Sequence, residues 1–398
     1  MAHFNYRAID ENSSVIKGKI DAADEDDLEQ ILRSNGLILL EATKSKFVFY
    51  RKPRLSEKDL VNFTYLLNLI LSSGVPLMSG LNQMAKQSAN RRIATAASFI
   101  QSKLESGKSI SGSMSEYPEL FPQFYISMVR AGEISGNLEQ VLNDVMAYLE
   151  WQIKLKKDVK AALAYPAIVL TAVALLIAVL FIFVMPKFMK ILADFKVGLP
   201  LPTKILVFIV GIIKGYWPLI LLGLISTPFI LRILYGTSAG RRIIDMFFLK
   251  LPLFGELVRK LNHSRYFRTF ATLFRSGLNM NEILRVSSDV VNNTVIAASF
   301  YKVTNAVLGG DQLSKALRDS GEFAPLLVNM VEIGEQTGTL DNTILRISDV
   351  YDREIPETMK KIFTIVEPLI IVLLGGLVLL TVASFFLPLY KIIGGIRR

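Results

Sequence analysis

The chain has 398 residues, with 45 Lys and Arg against 35 Asp and Glu, giving a net charge of +10. It holds no cysteine and only two histidines, His3 and His263, which excludes disulfides and a conventional Cys/His zinc site and argues against a Ser-His-Asp centre. Hydrophobic residues make up 51% and charged residues 20%, more apolar than ordinary soluble domains. The positive balance reads as the cytoplasmic Lys/Arg surplus of a membrane protein. It does not read as a nucleic-acid surface, because no aromatic-plus-basic platform accompanies it.

In chain order, Phe4–Ala8 and Val15–Ile20 alternate like paired strands. Asp24–Asn35 has an acidic first turn, Leu28, Ile31 and Leu32 on one face, and Gly36 as a stop, which predicts a helix. Leu37–Glu41 is a third strand, so residues 1–46 form a small ββαβ module followed by a basic linker. The N-terminus lacks an apolar core behind a basic start, so no cleavable signal is expected.

Residues 55–160 read as helical. Ser56 and Asp59 have capping-box spacing, and Leu60, Phe63, Leu67, Ile70 and Leu71 share a face. Gly74-Val75-Pro76 breaks this helix, and Met78–Gln87 and Ile93–Leu104 follow. Gly107–Gly112 reads as a loop, Phe124–Arg130 as a helix, Gly132–Gly136 as a turn and Leu138–Lys160 as a long helix. Residues 255–361 repeat the pattern, with Ser276-Gly277 matching Ser73-Gly74.

The duplication is clearest in one pair of segments. Phe121–Leu142 and Phe323–Ile344 align without a gap and share Phe121/Phe323, Met128/Met330, Val129/Val331, Gly132/Gly334, Glu133/Glu335, Gly136/Gly338 and Leu138/Leu340. Each copy leads into an apolar segment opened by a proline, Pro166 or Pro368, with Tyr165 and Glu367 beside them as membrane-entry residues. Two copies, each expected to close its own core as about six short helices, are not a solenoid.

The pattern Gly-Glu-x-[Ser/Thr]-Gly-x-Leu, at Gly132–Leu138 and Gly334–Leu340, has the composition of a helix corner. Its glycines permit positive φ, Asn137 and Thr339 can cap the next helix, and Glu133 and Glu335 can anchor neighbouring backbone NH groups. The functional alternative is that these corners face a partner. Ser106-Gly107-Lys108-Ser109 resembles the end of a phosphate-binding loop but fails, with Ser102 in place of the required glycine and no strand before it. His263 reads as a surface residue. Trp151–Lys160 reads as a basic amphipathic segment resting at lipid headgroups.

Residues 161–186 and 363–390 each contain an uncharged stretch able to cross a hydrocarbon core of about 30 Å. A third span is expected at 215–234, joined to the apolar run 205–213 either as one tilted span or behind an interfacial helix. Residues 187–214 are then periplasmic. Ten Lys/Arg near the span ends on the side of the two copies, against eight on the other, place both copies and the N-terminus in the cytoplasm. The fold expected is mainly α: a polytopic membrane protein with two homologous cytoplasmic six-helix bundles, three transmembrane helices and a small α+β N-terminal module. The rival class, a transporter or channel subunit, needs a polar path through the bilayer. Only Lys214 and Glu367 approach one, both near span ends.

These features together resemble the inner-membrane platform proteins of type II secretion and type IV pilus machines, the GspF/PilC family. The likeness rests on FNYRAID and GLILLEA in the N-terminal module, both glutamate corners, AALAYP at Ala161–Pro166, IVEP at Ile365–Pro368 and FFLPLY at Phe385–Tyr390. It implies a bacterial inner-membrane protein that is not an enzyme. It also implies coupling of a cytoplasmic hexameric ATPase to pilin-like subunits, with other inner-membrane assembly proteins, lipids and further copies of itself as partners, and no nucleic acid. Some members hold a metal near the equivalent of Glu150. Here Lys154, one turn on, opposes a cation, so neither metal nor cofactor is expected.

Overall fold

The computed structural model describes residues 2–9, 15–22, 25–34, 37–44, 55–179, 183 and 201–396, which fall into two units, Met1–Arg54 and Leu55–Arg398. In the first unit, strands β1 (Ala2–Ile9), β2 (Val15–Ala22) and β3 (Ile38–Lys44) form an antiparallel sheet of order β2-β1-β3, and helix α1 (Glu25–Ser34) joins β2 to β3. β1 pairs with β2 from Ala2↔Ala22 to Ile9↔Val15, and its register against β3 shifts between Arg7 and Ala8. Side chains alternate across a strand, so Tyr6 and Ala8 pack with Leu28 and Leu32 of α1, while Arg7 reaches Glu41 at 3.4 Å outside this core.

The second unit opens with α2 (Glu57–Ser72), α3 (Leu77–Gln87), α4 (Arg91–Glu105), α5 (Ile110–Ser115), α6 (Gln123–Ser135) and α7 (Leu138–Val179). After α8 (Leu201–Tyr235) and α9 (Ser238–Lys250) come α10 (Phe254–Arg275), α11 (Met280–Asp289), α12 (Thr294–Leu308), α13 (Leu313–Ser320), α14 (Pro325–Thr337) and α15 (Leu340–Ile396). The helix starts Leu77, Arg91 and Ile110 are matched at one constant spacing by Met280, Thr294 and Leu313. That spacing tightens by a single position for Gln123/Pro325 and Leu138/Leu340, so the second copy is slightly shorter between the counterparts of α5 and α6.

Local chemistry accounts for the punctuation. Ser56 Oγ accepts from the Asp59 amide at 3.1 Å and Asp59 Oδ2 from the Ser56 amide at 3.0 Å, a complete capping box. Gly74 and Gly277, just past the ends of α2 and α10, have φ of +68° and +75°, which only glycine adopts cheaply.

Four expectations are corrected. The stretch 107–112 is not all loop, because Ser109 caps α5 by accepting from the Gly112 amide at 3.0 Å. Residues 132–135 continue α6, and the chain leaves the helix only at Gly136. The long helix of each copy and the apolar segment after it are not separate elements: α7 runs 42 residues and α15 runs 57, about 63 and 86 Å at 1.5 Å per residue, with Pro166 and Pro368 inside them. Nor does each copy close its own core. One cluster of buried apolar side chains runs from Phe63, Phe121, Tyr125 and Val145 into Tyr266, Phe270, Phe300 and Ile347.

Two helices among the described residues are long and apolar enough to cross a membrane, within Leu138–Leu176 and Leu340–Ser384, and none of either apolar stretch is buried in the protein. Residues 205–213 and 215–231 belong to the single helix α8, with Pro218 and Pro228 inside it. Residues 187–200, part of the expected periplasmic segment, lie outside the described residues.

Candidate functional site

The two glutamate corners are built alike. Glu133 Oε1 accepts from the Ile110 amide at 2.5 Å, and its Oε2 accepts from the Ser111 amide at 3.1 Å and from the Ser111 hydroxyl. Glu335 Oε1 accepts from the Leu313 amide at 2.7 Å and Oε2 from the Ser314 amide at 2.9 Å. Each carboxylate satisfies the first two free NH groups of a short helix, α5 or α13, at its positive end. One charged side chain thus clamps α5 onto α6, and its counterpart clamps α13 onto α14.

The surrounding motif residues place that carboxylate. A Cβ on Gly132 would lie 3.0 Å from Leu138 Cα, and one on Gly334 would lie 2.8 Å from Thr343 Oγ1, so both glycines permit close contact with the following long helix. Gly136 (φ +69°) and Gly338 (φ +70°) make the left-handed turn that ends α6 and α14. Leu340 is buried and Leu138 half-buried, and both begin the long helices. Thr339 Oγ1 pairs with Thr337 Oγ1 at 2.8 Å, and the Asn137 carbonyl accepts from the Val141 amide at 3.2 Å. The corners still expose apolar side chains, Ile134 at 80% and Ile333 at 60%.

The long helices carry the corners to a seam between the copies. Trp151 Nε1 donates to Asp352 Oδ2 at 2.7 Å, Arg268 lies 5.5 Å over the Trp151 ring, and Ser264 Oγ donates to Asp352 Oδ1 at 2.6 Å. Leu155 packs with Leu257, Ile355, Met359 and Ile362. The apolar side of 151–155 is therefore covered by α10 and α15 and does not rest on headgroups. Lys156 pairs with Glu57. Tyr148 and Thr269 share a buried hydroxyl bond of 2.9 Å, and Ser127 Oγ donates to Glu282 Oε1 at 2.8 Å. Arg130 lies 3.6 Å from Glu282 beside a polar cleft of about 670 Å³ that Arg285, Asp289 and Tyr301 also line. Lys108 pairs with Glu116, Asp311 with Lys315 at 2.7 Å and Glu332 with Arg318 at 2.6 Å, so the charges that differ between copies have partners inside the chain.

His263 is not on the surface but 3% exposed, with Nδ1 3.1 Å from the Tyr351 hydroxyl and its ring against Phe300 and Phe323. Burial, and then the nearby positive Arg259, hold its pKa at about 3, so it is neutral at pH 7. Asn262 and Ser264 beside it are also buried, and Asn262 Oδ1 accepts from the Asn292 and Asn293 amides.

Of the membrane-entry residues, Tyr165, Glu367 and Pro368 are exposed on the long helices and Pro166 is half-buried. The groove between α7 and α15, about 970 Å³, is lined by Ala167, Ile168, Ala172, Leu175, Val179 and Val378 and is largely apolar; Thr171 also lines it, with its hydroxyl turned to the Ala167 carbonyl at 2.6 Å. Among the described residues no group of three His, Asp or Glu side chains is placed to hold a metal ion.

Comparison with known proteins is consistent along the whole chain. The family model for type II secretion system protein F matches residues 63–186 and again 266–388, and the model for that family's N-terminal domain matches residues 1–43. The starts and the ends of the two main matches keep the same spacings as the helices. The chain is 33% identical to a type IV pilus assembly protein PilC of Thermus thermophilus, with 99% of each chain covered. It is 29% identical to a PilC protein of Myxococcus xanthus, covering 100% of this chain and 96% of the relative. It is 28% identical to a type II secretion system protein F of Pseudomonas aeruginosa, covering 98% and 99%.

Proposed function

The chain belongs to the type II secretion system protein F family, and we propose that it is the inner-membrane platform of a secretion or pilus machine. In this reading it couples a cytoplasmic hexameric ATPase to the polymerisation of pilin-like subunits, alongside other inner-membrane assembly proteins and further copies of itself. It works as a scaffold and not as a catalyst. α7, α8 and α15 are its three spans, and both copies, each a six-helix bundle, and the N-terminus lie in the cytoplasm.

The observation that carries this reading is the continuity of the long helices. Each glutamate corner sits at the N-terminus of an unbroken helix, and that helix passes through the shared core before reaching an uncharged stretch. A displacement at a corner, where Ile134 and Ile333 offer apolar contact, is passed along a stiff rod to the bilayer. The apolar lining of the α7–α15 groove favours a scaffold over a solute path, which needs polar groups at that depth.

Topology tests the arrangement. The chain has no cysteine, so single cysteines report cleanly. An impermeant thiol reagent applied to spheroplasts should mark position 196 and spare 106 and 311; labelling at 106 would overturn the orientation. Purified protein should show no intrinsic ATP hydrolysis, and turnover that survives removal of contaminating ATPases would sink the scaffold reading.

A further inference from the structure

The helix α9 (Ser238–Lys250) lies between the two copies in the chain and belongs to neither. It begins just after α8 ends and is fixed tightly at both ends. A Cβ on Gly240 would collide with the Leu234 carbonyl oxygen, and one on Gly255 with that of Leu249. Leu253, the only non-glycine residue with positive φ among the described residues (+68°), makes the reversal into α10.

Its roll about its own axis is fixed as well. Asp245 is buried, and its carboxylate accepts from the Tyr235 hydroxyl at 3.1 Å and from the Thr294 amide and hydroxyl at 2.7 Å each. Asn293 Nδ2 donates to the Asp245 carbonyl at 3.2 Å, and Arg241 turns inward to the Asn292 carbonyl at 2.8 Å. At about 100° per residue, the face opposite Asp245 carries Ile243 and Phe247. They are 69% and 61% exposed, and Met246 and Phe248 are exposed beside them.

The exposed charge on this helix has one sign. Asp245 is its only acid and is buried, whereas Arg242 and Lys250 are basic and exposed. An exposed apolar stripe with flanking bases and no exposed acid matches an anionic lipid surface. The end of α8, which immediately precedes this helix in the chain, also exposes apolar side chains, Phe229, Ile230, Ile233 and Leu234.

We propose that α9 is an in-plane membrane anchor, seating Ile243 and Phe247 below the headgroups of an anionic bilayer with Arg242 and Lys250 at the phosphates. This rests on the reading of α8 as a span, and it adds a fixed seat that sets the height of the second copy above the bilayer.

The test uses full-length protein in nanodiscs of phosphatidylethanolamine and phosphatidylglycerol. A nitroxide is attached to single introduced cysteines at 243, 247 and 222, the last an exposed position on α8. Collision rates with oxygen, which concentrates in lipid, are compared with those of a water-soluble nickel chelate. Oxygen collisions should dominate at 243 and 247 as they do at 222. Nickel dominance at 243 and 247 with oxygen dominance at 222 would overturn the anchor and leave the span intact. Nickel dominance at all three would overturn the span as well. Few collisions with either reagent at 243 and 247 would mean that a protein covers the face, which also refutes the proposal.

Discussion

Removing the two corner glutamates should have unequal effects. Glu335→Ala takes two charge-assisted bonds from the first turn of α13, and Gln312, the residue capping that helix, offers no side-chain bond in compensation. Glu133→Ala also removes bonds to two amides, but Ser109 Oγ still accepts from the Gly112 amide, and the Ser111 hydroxyl keeps a neighbour in Ser109 Oγ at 3.4 Å. Bonds to charged groups are worth about 1.5–3 kcal/mol each when buried, and loss of a helix cap costs about 0.5–2 kcal/mol. Both glutamates are half-buried, so water takes over part of each role. The expected local cost is therefore about 2 kcal/mol for Glu335→Ala and about 1 kcal/mol for Glu133→Ala. At about 1.4 kcal/mol per decade these correspond to roughly 25-fold and 5-fold more frequent opening of α13 and α5. Hydrogen exchange followed by mass spectrometry on nanodisc-embedded protein reads both, from peptides covering 309–320 and 106–116. Unchanged protection at 313–314 in Glu335→Ala, or a larger loss in the first copy, would refute the clamp argument.

Three further outcomes follow from the same contacts. Trp151→Phe leaves the Asp352 carboxylate short of one donor at the seam and should cost about 1–3 kcal/mol by thermal unfolding; a double-mutant cycle with Asp352→Asn should show positive coupling, and full additivity would deny the contact. His263 has a folded pKa of about 3, below its unfolded value near 6.5, so the unfolded state binds the extra proton first. Its contribution is therefore complete above pH 6.5 and lost progressively as pH falls from 6.5 towards 3, and His263→Gln should unfold with a flatter pH profile over that window; identical profiles would exclude this residue as a source. Gly334→Ala should destabilise more than Gly277→Ala, because a Cβ at Gly334 meets Thr343 while one at Gly277 meets nothing within 4 Å and strains only φ; the combined variants Gly334→Ala/Thr343→Ser and Gly334→Ala/Thr343→Ala, compared by melting, should recover part of the loss, and no recovery would contradict the packing account.

The corners were legible because their chemistry is local. Gly136 and Gly338 sit where a left-handed turn is needed, and a glutamate shortly before such a turn has few uses other than holding nearby amides. The capping box at Ser56 and Asp59 and the helix ends at Gly74 and Gly277 were legible for the same reason. The seam was not. Helical spacing of Leu142, Val145 and Leu149 shows that a face is buried but not which helix buries it, so the two cores read as separate when they are one. Trp151–Lys160 reads as a headgroup segment because its basic residues mask an apolar side that the second copy covers. Asn262-His263-Ser264 looks polar enough for a surface, yet each side chain finds a partner on a different helix or loop, far along the chain. The available signal was on the same helix: at about 100° per residue Tyr266, Phe267, Phe270 and Phe274 share one face, and His263, three residues before Tyr266 and four before Phe267, falls on it.

The proposed role, a platform joining an assembly ATPase to pilin-like subunits, requires this chain to hold both. Its most direct test is affinity purification of the full-length protein from native membranes after mild crosslinking, with the recovered ATPase and pilin-like subunits quantified against an unrelated multi-pass protein purified in parallel. Both should be recovered together with the chain, with the crosslinks to the ATPase concentrated on one of the two copies. Recovery of the chain with neither, at the level of the control, would contradict it.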